Sequence, residues 1–382
     1  MAGPCPDDFA AMADELGFSC ADVQPLVNVR NPLGLENWTL PVVEALLVSL
    51  AIAAAVHAVR RWRAGDVTPS ALWLGSVVYL LVMEPPVYFP AQFGIADHLK
   101  TAFVHNVFTV EFMFDRMPLY ILCLYPAMAV LSYESVRSLG VFRRRGVLIG
   151  AVCVGFVHHC FYEIFDQLGP QLRWWAWNPD EKNIAAVIGS APVSSVFMFA
   201  TVGPAALTYL VRTLVTDRPA RGGLGVLGGV VLSGVLTTVV VLIAGIPGIV
   251  AGMIGGDPDT TAQTVVMMAL VAVFAAVALS VLPTEWRRNR SAGAGPGEGG
   301  HSEDDTARPY AVAAAVAYCV VFAVLWASEL PGLLSGSVDE RLAANVPYTL
   351  ACFVLVIVFT AAVATGGRVD APREPAVESE TV

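Results

Sequence analysis

The sequence predicts an all-α fold: a polytopic transmembrane helix bundle of about nine spans. Of the 382 residues, 56% are hydrophobic and 14% are charged, whereas soluble domains carry about 25% charged residues. Nine stretches are apolar enough to cross a bilayer as helices, and most approach the required length of about 20 residues. These stretches are residues 40–59, 71–89, 118–133, 147–165, 193–211, 224–245, 264–282, 310–326 and 348–364.

The basic residues alternate between the two sides of these spans. Sixteen of the 22 lysines and arginines follow the first, third, fifth, seventh and ninth spans, and six lie on the other side. The positive-inside rule therefore places the N-terminus outside and the C-terminus in the cytoplasm. Only Lys100 and Lys182 are lysines, and this preference for arginine is typical of high-GC bacteria. The expected location is a bacterial cytoplasmic membrane.

Composition divides the chain into five parts. The N-terminal part is acidic and includes an amphipathic stretch around residues 9–16, whereas the stretch after the seventh span is rich in glycine and charge. The parts are residues 1–38, an acidic extracytoplasmic segment; residues 39–285, a seven-span membrane core; residues 286–309, a flexible cytoplasmic linker; residues 310–366, two C-terminal spans; and residues 367–382, a disordered cytoplasmic tail.

Charge and motifs exclude several classes of function. The net charge of −10, without a basic cluster, argues against a nucleic-acid partner. No Walker A loop or GxSxG elbow is present, and neither GxGxxG run, residues 223–228 or 295–300, follows a predicted strand as a dinucleotide-binding fingerprint requires. The expected partners are membrane lipids and a lipophilic small molecule. Cys5 and Cys20 share the N-terminal segment and could form a disulfide in an oxidising compartment.

The fourth span carries the densest group of polar residues. Residues three or four apart share a helix face, so His159, Tyr162, Glu163 and Asp166 are expected to form one stripe. We interpret Glu163 and Asp166 as a general acid and base supported by His159. A hydrogen-bond network between helices would explain the same pattern. No cofactor is predicted, although His158, His159, Glu163 and Asp166 could together hold a single metal ion.

Glu84 in the second span is followed by Pro85 and Pro86, which are expected to interrupt the helix. Irregular backbone at membrane depth is tolerated where it faces protein or a cavity. Glu84 is therefore predicted to support the same acid–base site, although a helix end with an exposed glutamate would also fit.

Two aromatic segments on the same side supply candidates for substrate binding. The segment before the third span could be a helix or a short extended hairpin, and its arginine could simply pair with the neighbouring aspartate. The segment after the fourth span is either an interfacial aromatic belt or a lid over a pocket. The candidates in these segments are His105, Glu111, Asp115, Arg116, Arg173, Trp174, Trp175 and Trp177, and Tyr162 of the fourth span is a further candidate.

A resemblance rests on the same residues. The run 115–120 (DRMPLY), then Glu163 and Asp166, then residues 173–178 (RWWAWN), resembles the spirocyclase family of macrolide biosynthesis and, more distantly, carotenoid hydratase-like membrane proteins of high-GC bacteria. The resemblance covers roughly residues 80–180. It implies acid–base chemistry on a lipophilic polyketide or isoprenoid, and it assigns no catalytic residue.

The leading hypothesis is an intramembrane cyclase, isomerase or hydratase that uses Glu163, Asp166, His159 and Glu84. A proton-coupled transporter would use the same carboxyl groups as a relay, and His57 is the clearest candidate for its continuation towards the cytoplasm. A non-catalytic assembly factor is the third possibility. In that protein the polar cluster would be structural.

Overall fold

The computed structural model describes residues 6–19, 23–218, 222–254, 258–292 and 303–366. Within these residues, nine helices are long and apolar enough to cross a membrane, and each contains most of one predicted span. The predicted multi-pass helical bundle is thereby confirmed. The nine helices are α2 (Thr39–Arg63), α3 (Thr68–Tyr88), α4 (Leu119–Arg137), α5 (Val141–Asp166), α6 (Ser195–Thr216), α7 (Gly223–Ile254), α8 (Thr260–Ala292), α9 (Glu303–Ser335) and α10 (Val346–Thr365).

Helices α4 and α5 lie at the centre of the bundle and are the most buried of the nine. α4 packs against α2, α3 and α9, and α5 packs against α6, α8 and α10. In contrast, α7 carries no charged residue and exposes Leu232, Val239 and Ile243, as expected of a helix that faces lipid. The polar residues of the fourth predicted span are therefore carried by a central helix.

The last two spans pack on the same core as the first seven. α9 contacts α2 and α4, and α10 contacts α5. α8 reaches Ala292 and α9 begins at Glu303, so both helices extend into the stretch predicted to be a linker. Three further predictions fall on residues outside the described ranges: the rest of that linker (residues 293–302), the tail (residues 367–382) and the pair Cys5 and Cys20.

A cap of short strands covers one end of the bundle, and of these strands the sequence predicted only the hairpin before the third span, as one of two alternatives. The strands join into one three-stranded sheet, β1-β3-β4, and two pairs, β2-β5 and β6-β7, all antiparallel. They are β1 (Val27–Val29), β2 (Phe103–His105), β3 (Val110–Phe112), β4 (Met117–Pro118), β5 (Trp175–Trp177), β6 (Val187–Ile188) and β7 (Ala191–Pro192).

A short amphipathic helix, α1 (Asp7–Leu16), lies in the cap. Its apolar residues Phe9, Met12 and Leu16 pack on Val104 and Ala176 of the β2-β5 pair. The N-terminal segment is thus joined to loops far away in the chain. Of the two alternatives for the segment before the third span, the extended hairpin is confirmed, because β3 and β4 pair there.

Candidate functional site

A cavity lies where α3, α4, α5 and α6 meet the cap strands β2 and β5. Its volume is about 40 Å³, which is room for about three water molecules. Its polar lining is Glu84, His105, Tyr125, Tyr162, Asp166 and Ser195, and its apolar lining is Phe103, Ile121, Phe165, Trp175, Trp177 and Phe199. Half of these residues are candidates from the sequence: Glu84, His105, Tyr162, Asp166, Trp175 and Trp177.

Glu84 reaches the cavity from the last turns of α3, where its side chain is buried. Its Oε1 accepts a hydrogen bond from the Tyr125 hydroxyl at 2.5 Å, and its Oε2 has no hydrogen-bond partner. The prediction that Pro85 and Pro86 interrupt the helix is wrong, because α3 continues through both to Tyr88. Proline φ suits a helix, and near a helix end the loss of two backbone donors is tolerated.

Asp166 is the last residue of α5, and its Oδ2 accepts a hydrogen bond from the Ser195 hydroxyl at 2.8 Å. Ser195 begins α6, whose first eight residues, Ser195–Val202, form wide π-helical turns. Such turns are rare and occur frequently at functional sites. Tyr162, one turn before Asp166, lines the same cavity as Asp166 and Glu84.

Neither carboxyl group lies against a basic residue of the kind that forms a structural ion pair. Among the described residues that line the cavity there is no lysine or arginine, and the hydrogen bonds to Glu84 and Asp166 come from hydroxyl groups. A buried carboxyl without a counter-charge is costly. These two carboxyl groups therefore lack the charge pairing by which a structural salt bridge stabilises a fold.

His105 lies on β2 and is held by two tyrosines. Its Nδ1 lies 2.9 Å from the Tyr120 hydroxyl, and its Nε2 lies 3.3 Å from the Tyr88 hydroxyl. Burial lowers the pKa of His105 to about 3, so the imidazole is neutral at neutral pH. A neutral imidazole has one donor and one acceptor nitrogen, which lets it pass a proton between hydroxyl groups.

Trp175 and Trp177 form one wall of the cavity on strand β5. Both belong to the strand that pairs with β2, and Trp175 lies opposite His105 in the register. The indole N–H groups of both residues are buried and have no hydrogen-bond partner. Buried donors without partners are rare in native proteins, where they call for an explanation such as an unobserved water or ligand. The cavity thus combines acceptors and donors that are not satisfied by the protein.

Glu163 and His159, which were predicted to act with Asp166, do not line this cavity. His159 Nε2 lies 2.9 Å from the Tyr348 hydroxyl of α10, and its Nδ1 lies 2.9 Å from the Thr201 hydroxyl of α6. Glu163 Oε2 lies 3.4 Å from the side-chain nitrogen of Gln167, and its Oε1 has no partner. The expected single stripe is therefore divided. Each residue advances a helix by about 100°, so residues three apart on α5 do not point in the same direction, and they contact different neighbours.

The acidic residues of the β3-β4 hairpin belong to the cap rather than to the cavity. Arg30 forms ion pairs with Glu111 and, at 2.5 Å, with Asp115, which also accepts a hydrogen bond from Asn28 at 2.9 Å. Burial raises the pKa of Glu111 well above its usual value, although Arg30 opposes this effect. Arg30 was not a candidate from the sequence. Its only signal is that it is the one arginine in an acidic segment.

Arg116 also has a role in the cap. Its guanidinium lies 3.8 Å from the centre of the Phe9 ring and donates a hydrogen bond to the Tyr88 carbonyl at 2.8 Å. Burial lowers its pKa to about 10. Arg116 thereby connects α1 to the end of α3, and neither it nor Asp115 faces the cavity that holds Glu84.

The two remaining candidates, Arg173 and Trp174, do not line the cavity. Arg173 forms an ion pair with Glu36 at 3.0 Å and donates to the Glu15 carbonyl, so it does not lie over the cavity. Trp174 is fully buried, and its indole nitrogen donates to the Thr39 hydroxyl at 2.9 Å. Successive strand residues point to opposite sides, which explains why Trp175 and Trp177 face the cavity together.

In the described part of the chain, no group of three or more His, Cys, Asp or Glu side chains is placed to hold a metal ion. His158 Nδ1 instead lies 2.7 Å from the Ala200 carbonyl.

The cavity also contains residues that the sequence did not single out. Tyr125 could have been found, because it is a tyrosine within an apolar span, whereas no feature of the sequence draws attention to Ser195.

Comparison of the chain with known protein families, with curated proteins and with solved structures finds no match.

Proposed function

We propose that this protein is a multi-pass membrane enzyme that carries out acid–base chemistry on a lipid-soluble substrate, as a cyclase, isomerase or hydratase. One observation carries the proposal: Glu84 and Asp166, from different helices, meet in one aromatic cavity that also holds unpaired hydrogen-bonding groups. Paired carboxyl groups without counter-charges are the usual means of donating a proton at one position and accepting one at another.

In this proposal, Glu84 and Asp166 exchange protons with the substrate, and Tyr162 lines the same cavity as both. The indole N–H groups of Trp175 and Trp177 would donate hydrogen bonds to a substrate oxygen on which negative charge develops. His105 would carry protons between the hydroxyl groups of Tyr88 and Tyr120 behind the cavity wall. The chemistry requires only proton transfer, so we propose no cofactor.

The aromatic walls favour a hydrophobic substrate, and the resemblance of residues 80–180 adds the class of lipophilic polyketides or isoprenoids. A cavity of about 40 Å³ is smaller than such a molecule, so binding requires side chains to move. Phe199 and Tyr125 are only partly buried and lie at the boundary of the cavity, which makes them the groups we expect to move.

We also propose that the cap and cavity face the outside of a bacterial cytoplasmic membrane, because most of the arginines follow the other ends of the spans. Lys100 and Lys182 are the only lysines, and both are exposed in the cap. A membrane-impermeant amine reagent added to intact spheroplasts should therefore label both lysines. Labelling that requires lysis would reverse the orientation.

A proton-coupled transporter is a second candidate, favoured by a buried ionisable pair at the opposite end of the bundle. His57 Nε2 lies 2.8 Å from Glu134 Oε1. A transporter would need to connect this pair to the cavity. A non-catalytic assembly factor would need neither carboxyl group for chemistry.

The deciding experiment compares lipid extracts from the native host by chromatography with mass detection. A deletion strain is complemented with wild type, Glu84→Gln, Asp166→Asn or Glu163→Gln. Glu163 is a matched control, because it is a buried carboxyl group on the same helix as Asp166 but outside the cavity. We expect a lipophilic species to accumulate in the deletion strain and to be cleared by wild type and by Glu163→Gln.

The two cavity variants should lower turnover by about 100-fold or more, the usual effect of losing a general acid or base. An unchanged mass with altered retention would indicate cyclisation or isomerisation, and a difference of one water would indicate hydration. If Glu163→Gln fails to clear the accumulated species and Asp166→Asn clears it, the site lies on the α10 side of α5. An unchanged lipid profile would favour transport or assembly.

A further inference from the structure

A second cavity adjoins the first, further from the cap, between α3, α4, α5 and α6. The two cavities share three wall residues, Tyr125, Tyr162 and Phe199. Small or rigid residues line the second cavity where the helices come together, including Ala129, Gly203 and Pro204. A molecule that extends beyond the first cavity would therefore continue into the second once the shared side chains move.

The second cavity contains a polar group that the fold does not satisfy. Tyr79 lines it and is 3% exposed, and its hydroxyl has no hydrogen-bond partner. A buried hydroxyl without a partner costs about 1–3 kcal/mol. The hydroxyl is also held closely in place, since a Cβ on Gly203 would lie 3.0 Å from it. Packing alone would be served as well by phenylalanine.

His158 lines the same cavity and has a defined tautomer. Its Nδ1 lies 2.7 Å from the Ala200 carbonyl, which only accepts hydrogen bonds, so Nδ1 carries the proton. In a neutral ring, Nε2 is then an acceptor. The ring is stacked on Tyr162, with 5.7 Å between the centroids, which fixes its plane. The cavity thus offers an acceptor nitrogen and a tyrosine hydroxyl that donates or accepts.

We propose that Tyr79 and His158 form a second polar subsite, which binds a hydroxyl group of the lipophilic substrate. The hydroxyl would donate to His158 Nε2 and accept from the Tyr79 hydroxyl. Tyr79 is five residues from Glu84 on α3, and His158 is eight residues from Asp166 on α5. With a rise of 1.5 Å per residue, the subsite lies about 8 to 12 Å from the reacting position.

This inference rests on the proposed function for its substrate, but the binding chemistry is separate from catalysis. It narrows the substrate class to a lipophilic alcohol with at least two oxygen functions separated by an apolar stretch. Tyr79 and His158 would be positioning residues, because they bind the part of the substrate that does not react.

The test uses the full-length protein in phosphatidylcholine vesicles and two photoactivatable probes. One probe is a linear alkanediol with an alkyl diazirine, in a series whose hydroxyl separation brackets 8 to 12 Å. The other is the matched alcohol with a single hydroxyl. Labelled residues are located by peptide mass analysis, and the concentration of probe that gives half-maximal labelling is measured.

We expect the best diol to label residues of the second cavity at about tenfold lower concentration than the matched alcohol, which is the effect of one buried hydrogen bond. Tyr79→Phe should remove the part of that advantage that comes from the Tyr79 hydroxyl and leave labelling by the alcohol unchanged. Tyr209→Phe is the control, because Tyr209 is exposed on α6. A diol that labels wild type no better than the alcohol, or Tyr79→Phe no worse than wild type, would overturn the subsite.

Glu84→Gln separates the two proposals. Labelling does not require turnover, so this variant should still prefer the diol. If Glu84→Gln retains turnover and Tyr79→Phe loses the preference, the proposed reaction fails and the subsite remains. If Glu84→Gln loses turnover and Tyr79→Phe keeps the preference, the subsite fails and the proposed reaction remains.

Discussion

The bundle buries ionisable side chains at both ends of α3 and α4, but the two groups are built differently. At the end away from the cap, Asp66 and Glu134 meet Arg61 and Arg137, with distances of 3.1 Å for Arg61–Asp66 and 2.5 Å for Arg137–Asp66. We call this set, together with His57, the ion-pair network. At the cap end, Glu84 and Asp166 meet only hydroxyl groups beside an open cavity.

The two regions differ in whether their buried carboxyl groups have counter-charges. In the ion-pair network, two carboxylates are matched by two guanidinium groups, and Glu134 also lies 2.8 Å from His57. Burial raises the pKa of Asp66, but Arg137 and a backbone hydrogen bond together lower it by a larger amount. The net pKa of Asp66 is therefore below its usual value. The cavity has no such balance. Burial of charge by itself therefore does not favour a functional site, whereas unmatched groups around a cavity support the one proposed here.

The largest expected effect comes from breaking the ion-pair network. Arg137→Ala leaves Asp66 and Glu134 without their main counter-charge and should destabilise the folded protein by about 3–5 kcal/mol. The change is measured as chemical unfolding in mild detergent, with Arg341→Ala in an exposed loop as the control. Turnover per folded molecule should remain. A folded Arg137→Ala protein that loses turnover as severely as Glu84→Gln would make the network part of the site.

The next effect is the pH dependence contributed by His105. Its pKa is about 3 in the folded protein and about 6.5 when unfolded, so the unfolded chain binds more protons between these values. Its contribution to stability is fully present above pH 6.5 and is lost as pH falls towards 3. Between pH 6.5 and pH 5 the loss is about 2 kcal/mol.

His105→Gln should remove this slope, as measured by unfolding across the same pH range. Glu111 acts in the opposite direction, because its raised pKa favours the folded state as pH falls. The comparison of wild type with His105→Gln cancels the contribution of Glu111. Identical slopes in the two proteins would show that His105 is accessible to water and is not the buried neutral group described here.

The smallest expected effect reshapes the cavity without removing a polar group. A Cβ on Gly169 would lie 1.9 Å from the Trp175 ring, so Gly169→Ala must displace that ring. We expect about 1–3 kcal/mol of destabilisation and lower turnover. Gly228→Ala in α7, where a Cβ meets nothing within 4 Å, is the control. Unchanged turnover in Gly169→Ala would remove Trp175 from the proposed oxygen-binding role.

Prediction from sequence succeeded for the long spans and missed most of the short strands. Each span is a run of apolar residues, and such a run is visible wherever the chain places it. The cap strands contain two or three residues each and pair across long separations, as Val27 does with Phe112. No periodicity exists at that length, so most of the cap was not predicted. The site was predicted in part, because Glu84 and Asp166 are costly at membrane depth wherever they point.

The sequence by itself determined that nine helices of the described residues are long and apolar enough to cross a membrane, because apolar length is a property of each segment alone. It also determined which carboxyl groups are costly to bury. Only the tertiary structure decided which of them share a space. Asp166 and Glu163 are three residues apart on one helix, yet Asp166 meets Ser195 of α6 beside the cavity, whereas Glu163 does not line the cavity. That division depends on how neighbouring helices pack around α5, and no local pattern in α5 encodes it.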